Sequence, residues 1–191
     1  MTQYDAVVAA GGAGRRLGGT DKPALTVGGR PLLDRVLAAC AGAHRILVVG
    51  PRRPTDRTGV HWLREDPPGG GPLAAVAAAL PEVSSPLVLL LAADLPFLDT
   101  TTVTRLLAAV GDADGALLVD AVGRDQPLTA AYRTTALRET LTSLGDPAGR
   151  PLRALTAPLH LARVADPTGA SFDCDTPDEL AAARLRAAGE H

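Results

Sequence analysis

Asp5-Ala6-Val7-Val8-Ala9-Ala10, running into Gly11-Gly12-Ala13-Gly14-Arg15-Arg16-Leu17-Gly18-Gly19-Thr20-Asp21-Lys22, fixes what kind of chain this is. The apolar run is of the short kind that forms a buried strand. It stops at glycines, whose missing β-carbons let backbone N–H groups crowd against a ligand and permit positive φ. Arg15, Arg16 and Lys22 follow at once. Bare amides and fixed positive charge together suit a polyphosphate, because both satisfy crowded anionic oxygens. Glycines alone would be explained by an ordinary tight turn; with Arg16 and Lys22 at these offsets, the phosphate site is the better reading.

Two better-known phosphate loops fail on spacing. A Walker A loop places Lys and then Ser or Thr directly after its last glycine, and Thr20 stands where that Lys belongs. The dinucleotide fingerprint fits at Gly12 and Gly14, but Leu17 occupies its third glycine position. A nicotinamide-dependent oxidoreductase is therefore a weak alternative.

The chain has 191 residues, the size of one domain with a substantial core. A formal charge of -2 argues against a general nucleic-acid binder, whose footprint is usually basic. Cys40 and Cys174 lie far apart without metal-ligand spacing, which predicts reduced thiols in a cytosolic protein. Nothing approaches the roughly 20 apolar residues of a membrane span. The N-terminus enters a strand without a basic, apolar leader, so a cytoplasmic location is expected.

Downstream, Leu25-Thr26-Val27-Gly28-Gly29-Arg30 reads as a turn-bearing connection, and Pro31 suits the first position of a helix ending near Gly42. His44–Val49 reads as a strand; its lone His is expected to be a solvated edge residue. Arg52–Arg57 reads as a solvated charge run. Val60–Leu63 is a third strand, delivering Arg64-Glu65-Asp66 to a second glycine loop, Gly69-Gly70-Gly71, ahead of a helix beginning at Pro72. Pro86–Ala93, the most apolar run, predicts a central strand buried on both faces. It ends in Asp94, a carboxylate that is costly at such a position without a charged partner. Mg²⁺ held by one or two carboxylates and nucleotide phosphates would supply that partner, whereas a turn-capping role before Pro96 is the blander reading.

Helix 101–110 and strand 115–119 follow. Strand–helix alternation then breaks, with a strand over 127–132, helices over 135–144 and 151–155, and a strand over 160–164. This half is expected to build an acceptor lobe or interface. The last helix opens at Pro177, with Thr176 or Asp175 as its cap. That role would by itself account for Asp175, but not for Asp173, which lies outside the helix.

Taken in order, these blocks resemble the MobA family, the molybdenum cofactor guanylyltransferases. The family's L-A-G-G-x-x-x-R-x-G-x-x-D-K stands here as Ala9 to Lys22, and its G-x-P-L as Gly29-Arg30-Pro31-Leu32. Asp66 with Gly71-Pro72-Leu73-Ala74, Ala93-Asp94-Leu95-Pro96-Phe97-Leu98, Arg124-Asp125-Gln126-Pro127-Leu128 and Asp175-Thr176-Pro177-Asp178-Glu179-Leu180 resemble its later blocks. The likeness spans nearly the whole chain. It implies a three-layer α/β/α Rossmann-like nucleotidyltransferase fold with a mainly parallel central sheet. It also implies a single domain over 1–191, with a nucleotide-binding half (1–120) and an acceptor-binding and C-terminal part (121–191).

The activity implied is transfer of GMP from GTP to the terminal phosphate of molybdopterin or the molybdenum cofactor, with Mg²⁺ and release of pyrophosphate. The site carried over places Ala9, Ala10, Gly11, Gly12 and Gly14 along the nucleotide, with Lys22 on its phosphates. Asp66 and the loop to Gly71 face guanine and ribose. Asp94 holds Mg²⁺, helped by Asp173 or Asp175, and Lys22, Arg16 and Asp94 are the catalytic set. The attacking phosphate is already an anion, so no Ser, Cys or His nucleophile is required.

Protein partners implied are other cofactor-biosynthesis proteins or target molybdoenzymes, contacted transiently, with neither nucleic acid nor membrane. The chain departs from the family at Ala9 for Leu, at Gly50 where some members carry a binding Asn, and at Asp173 and Asp175 for Asn. The acidic last motif also occurs in relatives that use CTP or other phosphorylated acceptors. These substrates, and a non-catalytic nucleotide-binding escort, stand as alternatives.

Overall fold

The structure, a computed structural model, describes residues 3–11 and 21–189. Its frame is a seven-stranded sheet. Strand β1 (Tyr4–Ala9) lies beside β4 (Ile46–Val49) and, beyond it, edge strand β5 (Val60–Leu63); all three are parallel. On the other flank of β1 runs β6 (Leu87–Ala92), also parallel and fourth of the seven, so the most apolar run is indeed the central strand. The sheet continues through β8 (Asp125–Arg133), β7 (Gly115–Val119) and β9 (Leu161–Ala165). β8 is antiparallel to both its neighbours, while β7 and β9 pair in parallel.

Alternation along the strands sends side chains to two cores. Ala6, Val8, Leu89 and Leu91 face one side, where α1 (Leu32–Ala39) contributes Leu33, Val36 and Leu37, and α3 (Thr100–Ala109) contributes Val103 and Leu106. Val7, Val88 and Leu90 face the other, against Leu73 and Val76 of α2 (Gly71–Ala79), Leu137 of α4 (Thr134–Leu144) and Leu155 of α5 (Arg153–Thr156). Helices on both faces of a mainly parallel sheet give the three-layer arrangement expected from the sequence. A third cluster seats α6 (Pro177–Gly189) through Leu180, Ala183 and Ala187 on Val27 and Leu32.

Several boundaries differ from the sequence reading for local reasons. The connection at 25–30 is a hairpin of β2 (Thr26–Val27) and β3 (Arg30–Pro31). Its central residues Gly28 and Gly29 both have positive φ, 57° and 72°, as a two-residue hairpin turn demands. Pro31 therefore ends a strand, and the helix begins at Leu32. Asp99, whose carboxylate accepts from the Thr102 N–H at 2.7 Å, caps α3.

The order β5–β4–β1–β6 creates a switch point: from β1 the chain winds to one side, then returns to the other. Open α/β sheets bind ligands outside the carboxyl ends of the strands at such a point. Gly11, Gly50, Glu65 and Asp94 all follow strand ends on that edge.

Candidate active site

The approach of β1 and β4 at this edge explains why Gly50 is glycine. A β-carbon there would sit 2.6 Å from the Ala10 carbonyl oxygen and 2.9 Å from the Gly11 nitrogen, so any side chain would drive the two exits apart. Ala10 donates its N–H to Val49 O at 2.8 Å, and Ala9 O accepts from the Ala93 N–H at 3.2 Å. The ends of β4, β1 and β6 are thereby stitched together, and the exposed Gly11 projects from the seam.

Lys22 returns to this seam. Its ammonium lies 3.7 Å from an Asp94 carboxylate oxygen and donates a hydrogen bond to Asp175. The three side chains are mostly buried, 19% exposed for Lys22, 16% for Asp94 and 31% for Asp175. Burial by itself would lower the Lys22 pKa; the hydrogen bond to Asp175 and the charges of Asp94, Asp175 and Asp173 reverse this and raise it, so Lys22 is a firm cation. Asp94 is pushed up to about 6, first by burial; Lys22 pulls it back, and Asp173 and Asp175 add repulsion. Asp173, on the rim, is also raised, by burial of its inner side and by repulsion from Asp175.

Asp175 is available to Lys22 because it is not the cap of α6. Thr176 is: its hydroxyl accepts from the Glu179 N–H at 3.2 Å, and the Glu179 carboxylate accepts from the backbone of Asp175 and Thr176 at 2.9 and 2.7 Å. This reciprocal capping box leaves the Asp175 side chain to point at the site.

The donor set fits Mg²⁺ in one respect. Asp94 and Asp175 offer hard carboxylate oxygens, and a divalent ion would relieve the burial of Asp94. Among the described residues no group of three His, Cys, Asp or Glu side chains is arranged to hold a metal by itself. An ion here would need substrate oxygens to complete its shell, the usual habit of Mg²⁺ with phosphates.

Gly12, Gly14 and Arg16 lie outside the described residues. Asp66 is exposed in the second loop and Gly71 is exposed at the start of α2, and neither takes part in the Lys22–Asp94 contact. The sequence reading missed two residues. Arg53, placed in a solvated charge run, is instead almost wholly buried: its guanidinium grips both oxygens of Asp21 at 2.7 and 2.9 Å and donates to Ala10 O at 3.0 Å. It thus ties together the entrance and exit of the first glycine loop. Arg53 also lines a cavity of about 660 Å³, together with Arg52, Arg57 and Trp62. Glu65, buried next to exposed Asp66, is the second. Arg53 carries no local sign in the sequence; Glu65 has one, since it follows a strand end ahead of a glycine loop.

A cation held among clustered carboxylates at the switch point of this sheet suits an enzyme that handles phosphates, and the chain is a nucleotidyltransferase. It belongs to the MobA-like NTP transferase family, whose domain matches residues 6–164. A probable molybdenum cofactor guanylyltransferase of Deinococcus radiodurans is 35% identical over 186 residues, covering 95% of this chain and 94% of that one. A molybdenum cofactor guanylyltransferase of Shewanella pealeana is 28% identical over 184 residues, covering 93% and 92%. Among solved structures, the 2-C-methyl-D-erythritol 4-phosphate cytidylyltransferase of Thermus thermophilus superposes with a TM-score of 0.76 at 26% identity, over 98% of this chain and 100% of that one.

Proposed function

We propose that this protein transfers GMP from GTP to the terminal phosphate of molybdopterin or the molybdenum cofactor and releases pyrophosphate, in the cytoplasm. The observation that carries the reading is the Lys22 ammonium within 3.7 Å of Asp94, at the strand edge from which Gly11 projects. The names of the full-length relatives favour guanylyl transfer to this acceptor.

Two anions must meet in such a reaction, the acceptor phosphate and the α-phosphate of the nucleotide, so the barrier is largely electrostatic. Lys22 holds a fixed positive charge where the triphosphate folds into the loop, and its two carboxylate partners keep that ammonium in place before substrate arrives. Arg16 and the amides of the glycine loop would add donors along the same phosphates. Asp94 and Asp175 would hold Mg²⁺ jointly with nucleotide oxygens, and Asp173 would contribute charge from the rim. When bound, that ion withdraws negative charge from the phosphoryl oxygens. Arg53 acts at one remove, by fixing the two ends of the loop.

CTP is the second reading, favoured by the likeness to the Thermus cytidylyltransferase and by the acids Asp173 and Asp175. The test is to incubate the purified protein with Mg²⁺, molybdopterin and each nucleoside triphosphate in turn, and to measure pyrophosphate. Release with GTP alone is expected. Release with CTP instead would move the assignment to cytidylyl transfer, and GTP binding without release would leave a non-catalytic escort.

A further inference from the structure

Glu65 is the place where the described structure leaves a polar group unsatisfied. The residue is 7% exposed, and its Oε2 is buried with no hydrogen-bond partner, the one such side-chain atom among the described residues. Its Oε1 accepts from the Gly69 N–H at 3.1 Å, in the second glycine loop. Both oxygens lie beside Gly11: a β-carbon built there would lie 3.3 Å from Oε1 and 4.0 Å from Oε2. A dry carboxylate oxygen without a donor is costly, and buried polar groups are almost always satisfied, by a ligand if not by the protein.

Position narrows what that ligand group is. The sheet order places Asp94, after β6, on one flank of the β1 exit and Glu65, after β5, on the other. A nucleotide whose phosphates lie at Lys22 and Asp94 and which crosses Gly11 brings its nucleoside end to Glu65. Glycine at position 11 keeps that crossing open, because a side chain there would cover the carboxylate.

We infer that Glu65 is a specificity-determining residue that reads the nucleobase, accepting the adjacent N1–H and N2–H₂ donors of guanine on its unpartnered oxygen. A carboxylate accepts only, so it suits an edge presenting neighbouring donors. Cytosine offers one amino group next to acceptors that a carboxylate repels, and hypoxanthine keeps N1–H but lacks the 2-amino group. The inference rests on nucleotide binding at this edge, as proposed above, and adds the residue that selects the base.

The test is calorimetric titration of wild type and Glu65→Gln with GTP, ITP and CTP, with Mg²⁺ and without acceptor. The amide can still accept from Gly69, and a melting temperature at or above that of wild type verifies folding. Wild type is expected to bind GTP about tenfold or more tighter than ITP, in line with loss of a charge-assisted hydrogen bond. Glu65→Gln is expected to lose about tenfold for GTP, to bring GTP and ITP together, and to leave CTP unchanged or improved. Unchanged GTP binding, or equal weakening towards all three nucleotides, overturns base reading by Glu65 while leaving the proposed reaction standing. Wild type that binds none of the three removes the proposed reaction and this inference with it.

Discussion

Asp5 and Asp94 are buried carboxylates at opposite ends of the same sheet, and the fold deals with them in opposite ways. Asp5, near the start of β1, is fully buried but accepts the backbone N–H groups of Arg45, Ser84 and Ser85 at 3.1, 2.6 and 3.1 Å. It also takes the Ser85 hydroxyl at 2.8 Å. Burial would raise its pKa, yet the bonds from Ser84, Ser85 and His44 hold it below the usual aspartate value. Asp94, beyond the end of β6, has a cation at 3.7 Å and two acids as further neighbours, and rises to about 6. The first is a finished structural joint between the amino ends of the strands. The second keeps an unmet demand for positive charge, which is how a site stays ready for a ligand.

The sharpest way to break that contrast is Asp94→Asn. Turnover should fall by about a thousandfold, since the carboxylate that meets the phosphate charge is gone. Stability at pH 7.5 should rise by about 1 kcal/mol, because the folded state no longer buries a charge it disfavours. Urea unfolding beside a pyrophosphate assay reads both; a destabilised variant would show that Asp94 is a structural joint like Asp5.

Lys22→Ala should keep its fold and lose on the order of a hundredfold in turnover, as when a charge-stabilising donor is removed. Near-normal turnover in the purified variant would end its catalytic role.

Asp5→Ala should do the reverse of Asp94→Asn. Unpairing the three backbone donors should cost about 3 kcal/mol in urea unfolding, with kcat of the folded enzyme unchanged. The acid side carries a sign. Asp5 and Asp166 both have folded pKa values below the unfolded one; for Asp166, bonds from Ser171 and Ala170 outweigh burial. Their stabilisation is therefore complete above about pH 4 and lost as pH falls through the folded values. Asp5→Ala should flatten that acid-side decline, and an unaltered slope would remove Asp5 from it.

Arg53→Lys should show the smallest effect. Losing the two-pronged grip on Asp21 should raise KM for the nucleotide by about fivefold, with kcat nearly constant, because a single ammonium cannot reproduce the fork. A change in kcat alone would place Arg53 in the chemistry instead of beside it.

Much of this architecture could be read along the chain. The strand runs and the capping signal at Thr176 and Glu179 are local patterns, and these local patterns survive into the structure. Asp94 could be marked as needing a cation because a carboxylate at the tip of an apolar strand is an anomaly in one dimension. The same reasoning misread Arg53, whose partner Asp21 is 32 residues away, and gave Asp175 as a cap or a metal-helping acid without its partner Lys22, 153 residues away. Glu65 and Asp66 are adjacent acids that no propensity separates, yet one is buried and the other exposed.

The amino-acid order alone thus specified most of the elements and the acid at the end of the middle strand, since each depends on neighbours within a few residues. Which charges meet, which acid turns inward, and the reversal of β8 within the parallel sheet depended on the packing of strands distant in sequence. Those outcomes follow from sheet order and register, which bring remote strand ends to one edge and which no short window of sequence contains.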